Sequence, residues 1–273
     1  MVEIILSGAS RGIGRALALE LGRDPNHHLV LVARDQARLE ALATDIERLG
    51  GWARAVPADL SSLAAARALG QRLASMVGQG ATLIHNAGMW PHHRELTTDG
   101  LEQGFAVNHL GPLVMQKPLL EKGVLGRLMV VSAGLIAKGR FDPARTPTGQ
   151  DFSLVRTYGT TKLCFALATR DVAAAYPALD VVVLHPGAVR TDLVMWPGPM
   201  GWMLKMVKKN WESPEDCAAR LQRILARERW SSPGEARWLF KERETHWPAI
   251  AEDQTTRRAV REATTEILTS LGF

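Results

Sequence analysis

Cysteine is nearly absent. The 273 residues hold two, Cys164 and Cys217, with no CxxC or metal-ligand spacing. Two thiols cannot staple a disulfide scaffold, and their scarcity suits a reducing compartment, where both read as small buried apolar groups. Tyrosine is equally rare, with only Tyr158 and Tyr176 available for any chemistry that needs a phenol. Apolar runs such as Val2–Leu6 and Leu29–Ala33 fall far short of the roughly 18–20 residues that cross a bilayer. The chain opens on Val2-Glu3-Ile4-Ile5-Leu6 rather than on a charged and then apolar leader. The expectation is a cytoplasmic protein with no membrane partner. Repeats, low-complexity tracts and inter-domain linkers are missing too, which points to a single domain over 1–273.

Apolar residues make up 46% and charged residues 22%, enough side chain for a core and too much for a disordered chain. The net charge is +5, but the basic residues are interleaved with acids, as in Arg220–Arg229 and Arg257–Arg261. Such stretches read as solvated helix faces, and no nucleic-acid partner is expected. His92 and His93 are adjacent, yet no third ligand follows at a recognisable spacing, so no metal is expected.

Short apolar strands alternate with helical patterns along the chain. Strands are predicted over Val2–Leu6, Leu29–Ala33, Trp52–Pro57, Thr82–His85, Arg127–Ser132, Val181–His185 and Ala236–Phe240. Helices are predicted over Ile13–Leu21, Asp35–Leu49, Ser61–Val77 and Thr255–Leu271, with Ser61 or Ser62 as a cap. The alternation implies an α/β fold: a doubly wound Rossmann domain, its parallel sheet of about seven strands covered by helices on both faces. Ligands of such sheets bind at the carboxyl ends of the strands. The functional loops should therefore follow Leu6, Ala33, Pro57, His85, Ser132 and His185. Residues 137–150, rich in Gly, Pro, Thr and Arg, read as an inserted surface loop.

The first of those loops is Ser7-Gly8-Ala9-Ser10-Arg11-Gly12-Ile13-Gly14. Gly8 allows a sharp turn, while Gly12 and Gly14 let a pyrophosphate approach backbone N–H groups at a helix start. The spacing is G-x-x-x-G-x-G, neither the commoner G-x-G-x-x-G nor a P-loop. This loop resembles that of the short-chain dehydrogenase/reductase family, and Gly8, Ser10, Arg11, Gly12, Ile13 and Gly14 are assigned to a dinucleotide. After the second strand comes Arg34, where NAD binders usually place an acid. A guanidinium suits a 2′-phosphate, with Arg11 as a second cation, so NADP(H) is expected over NAD(H). Asp35, one place late, keeps NAD(H) as the alternative.

Tyr158 lies in Tyr158-Gly159-Thr160-Thr161-Lys162, and positions i and i+4 share a helix face. A nearby ammonium group favours phenolate, so Lys162, together with the positive nicotinamide ring of an oxidised cofactor, is expected to lower the Tyr158 pKa and make it a general acid or base. Ser132 ends the fifth strand and is expected to orient the reacting oxygen. The family resemblance adds Asn108, in Val107-Asn108-His109-Leu110-Gly111, as the asparagine that kinks a helix and holds a water linked to the lysine. It also implies cofactor roles for Asp59 and Leu60, and for Asn86, Ala87 and Gly88 in a turn where His85 replaces the usual first asparagine. The same holds for Tyr158 and Lys162 themselves, and for Pro186, Gly187, Val189 and Thr191 beside the nicotinamide carboxamide.

The long spacing from Ser132 to Tyr158 resembles the retinol-dehydrogenase-like and protochlorophyllide-reductase-like members. The resemblance implies an NADP(H)-dependent oxidoreductase that moves a hydride between the nicotinamide and a carbonyl or secondary alcohol. An apolar small-molecule substrate is expected, with a lid over 192–212, where Met195, Trp196, Met200, Trp202 and Met203 are followed by Trp211. Trp90, Pro91, His92 and His93 are expected at the same mouth. The alternatives are a non-catalytic NADP(H)-binding sensor, a reductase of carbon–carbon double bonds on the same site, and a nucleotide-sugar epimerase. The first sits poorly with an intact Tyr158 and Lys162, the last with the glycine spacing. Family members range from monomers to tetramers, so the resemblance allows a homo-oligomer.

Overall fold

The inner strands bury both of their faces, which is why the sequence shows continuous apolar runs there, whereas the edge segment Trp52–Pro57 alternates between exposed and buried residues. The computed structural model describes residues 1–191 and 211–273; the expected lid lies outside these residues except for Trp211 and Glu212. β1 (Val2–Ser7) leads through the glycine loop into α1 (Gly12–Leu21), β2 (His27–Ala33) into α2 (Gln36–Arg48), and β3 (Trp52–Pro57) into α3 (Leu63–Met76). After β4 (Ala81–His85), a short helix (Gln103–Phe105), a π-helical turn (Ala106–Leu110) and α4 (Gly111–Glu121) run on without a break. β5 (Leu125–Val131), α5 (Arg156–Ala175) and β6 (Asp180–His185) follow. Beyond residue 210 come α6 (Pro214–Leu225), β7 (Ala236–Phe240), β8 (Arg243–Glu244) and α7 (Gln254–Ser270). Asp35 caps α2 by accepting from Arg38 N at 3.0 Å, and Ser62 rather than Ser61 caps α3.

The strands form one sheet in the order β3-β2-β1-β4-β5-β6-β7-β8. The first seven are parallel, as expected, and β8 turns back antiparallel to β7. β8 has only two residues and no pattern of its own; its turn places Lys241 at φ 56°. Ile5, Val30, Leu83, Val130 and Val183 enter one core beneath α3, α4 and α5. Leu6, Leu31, Ile84, Met129 and Leu184 enter the other, beneath α1, α2 and α6. Cys164 and Cys217 are buried free thiols, one in each core. The strand order reverses at β1, whose neighbours are β2 and β4, so a crevice opens above the carboxyl ends of β1 and β4.

The segment read as an inserted loop, 137–150, is pinned rather than free. Pro147 O accepts from Glu102 N at 2.8 Å and Thr148 O from Arg94 Nε at 2.9 Å, while Thr146 and Pro147 are buried. The lower helices show how little room this fold leaves. A Cβ at Gly70 of α3 would lie 2.2 Å from the Met115 carbonyl oxygen of α4. Alanine is the better helix former, yet Gly70→Ala should destabilise the protein by about 1–3 kcal/mol through overpacking. Chemical denaturation checks this, and an unchanged or raised stability would contradict the packing.

Candidate active site

The crevice is closed at its base by backbone touching backbone. Gly8 has φ 69°, and a Cβ there would stand 2.7 Å from Ala87 Cα. A Cβ on Gly14 would stand 2.1 Å from the Gly8 carbonyl oxygen. Asn86 seals the contact: its Nδ2 donates to Ser7 O at 3.2 Å and to Gly8 O at 3.1 Å. Ser7 Oγ in turn accepts from the backbone N–H groups of Asn86 and Ala87. Gly14 thus serves the loop from behind, and the first turn of α1 is left to face the crevice with its unpaired N–H groups.

Tyr158 and Lys162 lie one turn apart on α5, each 5% exposed. Lys162 Nζ donates to Val131 O at 3.1 Å, which brings the ammonium to the end of β5, next to Ser132. Gly88 makes room for it, since a Cβ there would be 3.1 Å from Lys162 Nζ. Ser132 N is held by Leu184 O at 2.7 Å, but its buried hydroxyl has no partner among the described residues. An unpaired buried hydroxyl is costly unless something else satisfies it. The π-helical turn inserts Asn108 toward the same place. Its Oδ1 accepts from Met89 N at 2.8 Å, and its Nδ2 donates to Met89 O at 2.9 Å and Thr161 Oγ1 at 3.0 Å. Asn108 therefore fixes the backbone before Trp90, and the Trp90 ring stacks on Tyr158 with centroids 4.4 Å apart.

Burial dominates the electrostatics. It drives the Tyr158 phenol well above its ordinary value and the Lys162 ammonium down to about 8. In the chain by itself desolvation penalises the phenolate, and Lys162 is in part neutral near pH 8, so the expected lowering of Tyr158 needs the charge of an oxidised cofactor as well as Lys162. His85, standing where the family has asparagine, is fully buried and fills its place differently. Its Nε2 shares a hydrogen bond with Gln116 Oε1 at 2.9 Å, and its ring meets Phe165 edge-on at 5.0 Å. Burial holds His85 at about 4 and His109 at about 3.

These groups surround one cavity of about 710 Å³, within the roughly 300–1,000 Å³ usual for ligand sites. Gly8, Ser10, Arg11, Gly12 and Ile13 line it from the first loop, Arg34 from the second, and Asp59 and Leu60 from the third. Asn86, Ala87, Gly88, Ser132, Tyr158, Lys162, Pro186, Gly187, Val189 and Thr191 complete the part foreseen from the sequence. Gly14 and Asn108 are not on the wall; each stands behind it and holds it. Arg38, Met89, Val107, Leu135 and His185 line the cavity as well. Arg38 had a readable signal, being one helical turn after Arg34 and three residues after the Asp35 cap; the others had none. Trp90 and Trp211 are both on the wall, whereas Pro91, His92 and His93 are not, and the two histidines are exposed. His93 pairs with Glu95 at 3.5 Å, and among the described residues no three of His, Cys, Asp or Glu gather as a metal would need.

Known proteins resemble this chain in sequence and fold. The family description "short chain dehydrogenase" matches residues 3–197. The chain belongs to the short-chain dehydrogenase family. It is 34% identical over 192 residues to a Streptomyces protein named as a daunorubicin C-13 ketoreductase, covering 70% of this chain and 67% of that one. It is 32% identical over 207 residues to mouse retinol dehydrogenase 14, covering 70% of this chain and 62% of the relative. The matched stretch thus spans about two thirds or less of these relatives. Among solved structures, an uncharacterised Mycobacterium paratuberculosis protein superposes with TM-score 0.76 at 22% identity, over 98% of this chain and 94% of that one. A Burkholderia cenocepacia short-chain dehydrogenase in complex with NADP superposes with TM-score 0.67 at 24% identity, over 88% and 96%. Both show the same fold.

The buried histidine has a measurable consequence. His85 sits near 4 in the native state against an ordinary 6.5, so the unfolded chain takes up the proton first. Stability from this group is full above pH 6.5 and is lost as the pH falls toward 4. The loss is at most about 1.4 kcal/mol per pH unit. The His85→Asn variant should lose about 2 kcal/mol less than the wild type between pH 6.5 and 5. Denaturation at the two pH values tests this; equal losses would show that His85 is not held neutral.

Proposed function

We propose that the chain is an NADP(H)-dependent oxidoreductase that interconverts a carbonyl and a secondary alcohol on an apolar small molecule. The observation that carries the reading is the unpaired Ser132 hydroxyl, buried in the cavity that Tyr158 and Lys162 also line. The cavity fits a dinucleotide on the chain's own evidence: side-chain-free Gly8, Gly12 and Gly88 on its wall, a helix start below, and an orphaned hydroxyl above. Once bound, the nicotinamide supplies or accepts the hydride.

The protein's groups divide the remaining work. Ser132 Oγ donates a hydrogen bond to the substrate oxygen and holds it in place. Tyr158 Oη gives that oxygen a proton during reduction and takes one during oxidation. Lys162 holds a positive charge at the end of β5 and replenishes the proton; its depressed value keeps that exchange near neutral pH. Asn108 acts at a distance by keeping Met89 and the turn around Gly88 in register. The Trp90–Tyr158 stack gives the cavity a flat apolar wall, which favours planar apolar substrates. Relatives named as a ketoreductase and a retinol dehydrogenase agree with carbonyl and alcohol chemistry.

The phosphate preference rests on charge. Arg11, Arg34 and Arg38 line one corner of the cavity. Asp35, the carboxylate that follows Arg34 at the end of β2, is engaged: it accepts from Arg38 N and lies 3.1 Å from Arg38 Nε. NADPH is favoured, and reduction is the favoured direction.

Two experiments test the reading. Tyr158→Phe should cut kcat/KM on a carbonyl panel by about 100-fold or more while NADPH affinity holds; full turnover would remove Tyr158 as the proton donor. Arg34→Ala should weaken NADPH roughly tenfold or more through lost charge-assisted contacts and leave NADH unchanged. Equal weakening of both would contradict the phosphate assignment.

A further inference from the structure

We propose that Glu212, Arg220 and Lys241, all outside the stretch that matches the family, form a clamp that positions the Pro186–Arg190 wall of the cavity. The proposal rests on the reading that a dinucleotide binds there. Residues 186–190 leave the sheet after His185 pairs with Phe240, so strand pairing no longer holds them. They are held from outside instead. Arg220, 5% exposed, donates from Nη2 to Pro186 O at 2.6 Å and pairs through Nη1 with the Glu212 carboxylate. Glu212 N donates to Ala188 O at 3.0 Å, and Glu212 O accepts from Arg190 N at 2.9 Å, an isolated bridge between Val189 and Glu212. Lys241 completes the group, with Nζ 3.7 Å from Glu212 Oε2 and its N–H on His185 O at 2.8 Å.

The backbone bears the marks of that grip. Gly187 has φ 91°, and a Cβ there would meet Lys241 Cε at 2.9 Å. Lys241 itself takes a left-handed φ of 56°, which disfavours any residue but glycine. Carbonyls 186 and 188 and the N–H of 190 are consumed on the outer side, so Pro186, Gly187, Ala188 and Val189 present their inner side to the cavity. A buried ion pair is a poor way to add stability, since an apolar replacement is often as good. It is a good way to hold a carbonyl at a fixed point. Arg220 therefore acts as a positioning residue through Pro186, and Glu212 keeps Arg220 aimed.

The effect should be confined to one end of the cavity. Arg34 and Asp59 follow β2 and β3, whereas Pro186 follows β6, four strands from β2 in the sheet order. The test uses two probes on the full chain: NADPH, which would span the cavity, and adenosine 2′,5′-bisphosphate, which would reach only the β2–β3 end. In Glu212→Gln, NADPH should bind about tenfold more weakly while adenosine 2′,5′-bisphosphate changes less than about twofold. Arg220→Lys, which keeps the charge and loses the forked reach to Pro186 O, should show the same split. If Glu212→Gln does not fold, Lys241→Met removes only the outer arm and should weaken NADPH about threefold with the fragment unaffected. Unchanged NADPH binding, or equal weakening of both probes, overturns the clamp. A wild-type chain that binds neither probe overturns the cofactor reading first, and the clamp with it.

Discussion

At the switch point of the sheet, the Gly8 carbonyl oxygen sits where a side chain on Gly14 would begin, and Ala87 sits where one on Gly8 would begin. β1 and β4 can therefore run side by side to their carboxyl ends and still leave α1 starting directly above them. Asn86 bridges the two with two hydrogen bonds to backbone carbonyls. Every other group in the cavity is placed relative to this contact: Gly88 two residues after Asn86, Ser132 on the next strand, Pro186 on the one after. Larger residues at these glycines would separate the strands before any ligand arrived.

Above that base, the protein buries an ammonium group and a phenol together. Burial alone disfavours the charged form of both, and both shifts run that way. The arrangement holds because α5 is anchored elsewhere: Thr161 accepts from Asn108, Thr160 donates to Arg140 O and Arg156 O, and Thr169 bonds back to Phe165 O. The π-helical turn is part of the same economy of space. One extra residue per turn lets Asn108 reach both Met89 and Thr161, which an unbroken α-helix would not line up. In the proposed reading, the positive charge that brings the phenol back toward neutral pH comes with the bound oxidised dinucleotide rather than from Lys162 alone.

Much of this is legible in the sequence. Continuous apolar runs announced the inner parallel strands because burial on both faces leaves a distinctive composition, and the edge strand β3 showed as a shorter alternating segment. Glycines at three fixed positions marked the crevice, and the four-residue spacing of Tyr158 and Lys162 marked the shared helix face. What sequence missed depends on contacts between distant segments. β8 has two residues and no periodicity. Gly14 and Asn108 are assigned to the site by motif, and that neither lines the cavity wall is visible only in the packing. Spacing shows the charge beside Tyr158 and hides the depth of burial, which in the chain by itself raises the phenol. Glu212, Arg220 and Lys241 come from three separate elements, and no local pattern joins them.

The most direct test follows from the chain's two tyrosines. In a Tyr176→Phe variant, the ultraviolet absorbance of phenolate reports Tyr158 alone. The account predicts that in the protein by itself this phenol stays protonated beyond the ordinary value of about 10, and that adding NADP⁺ shifts its ionisation markedly downward. A phenol that titrates at the ordinary value, or one that ignores the added dinucleotide, would contradict the claim that Tyr158 is a buried proton donor tuned by a bound cofactor.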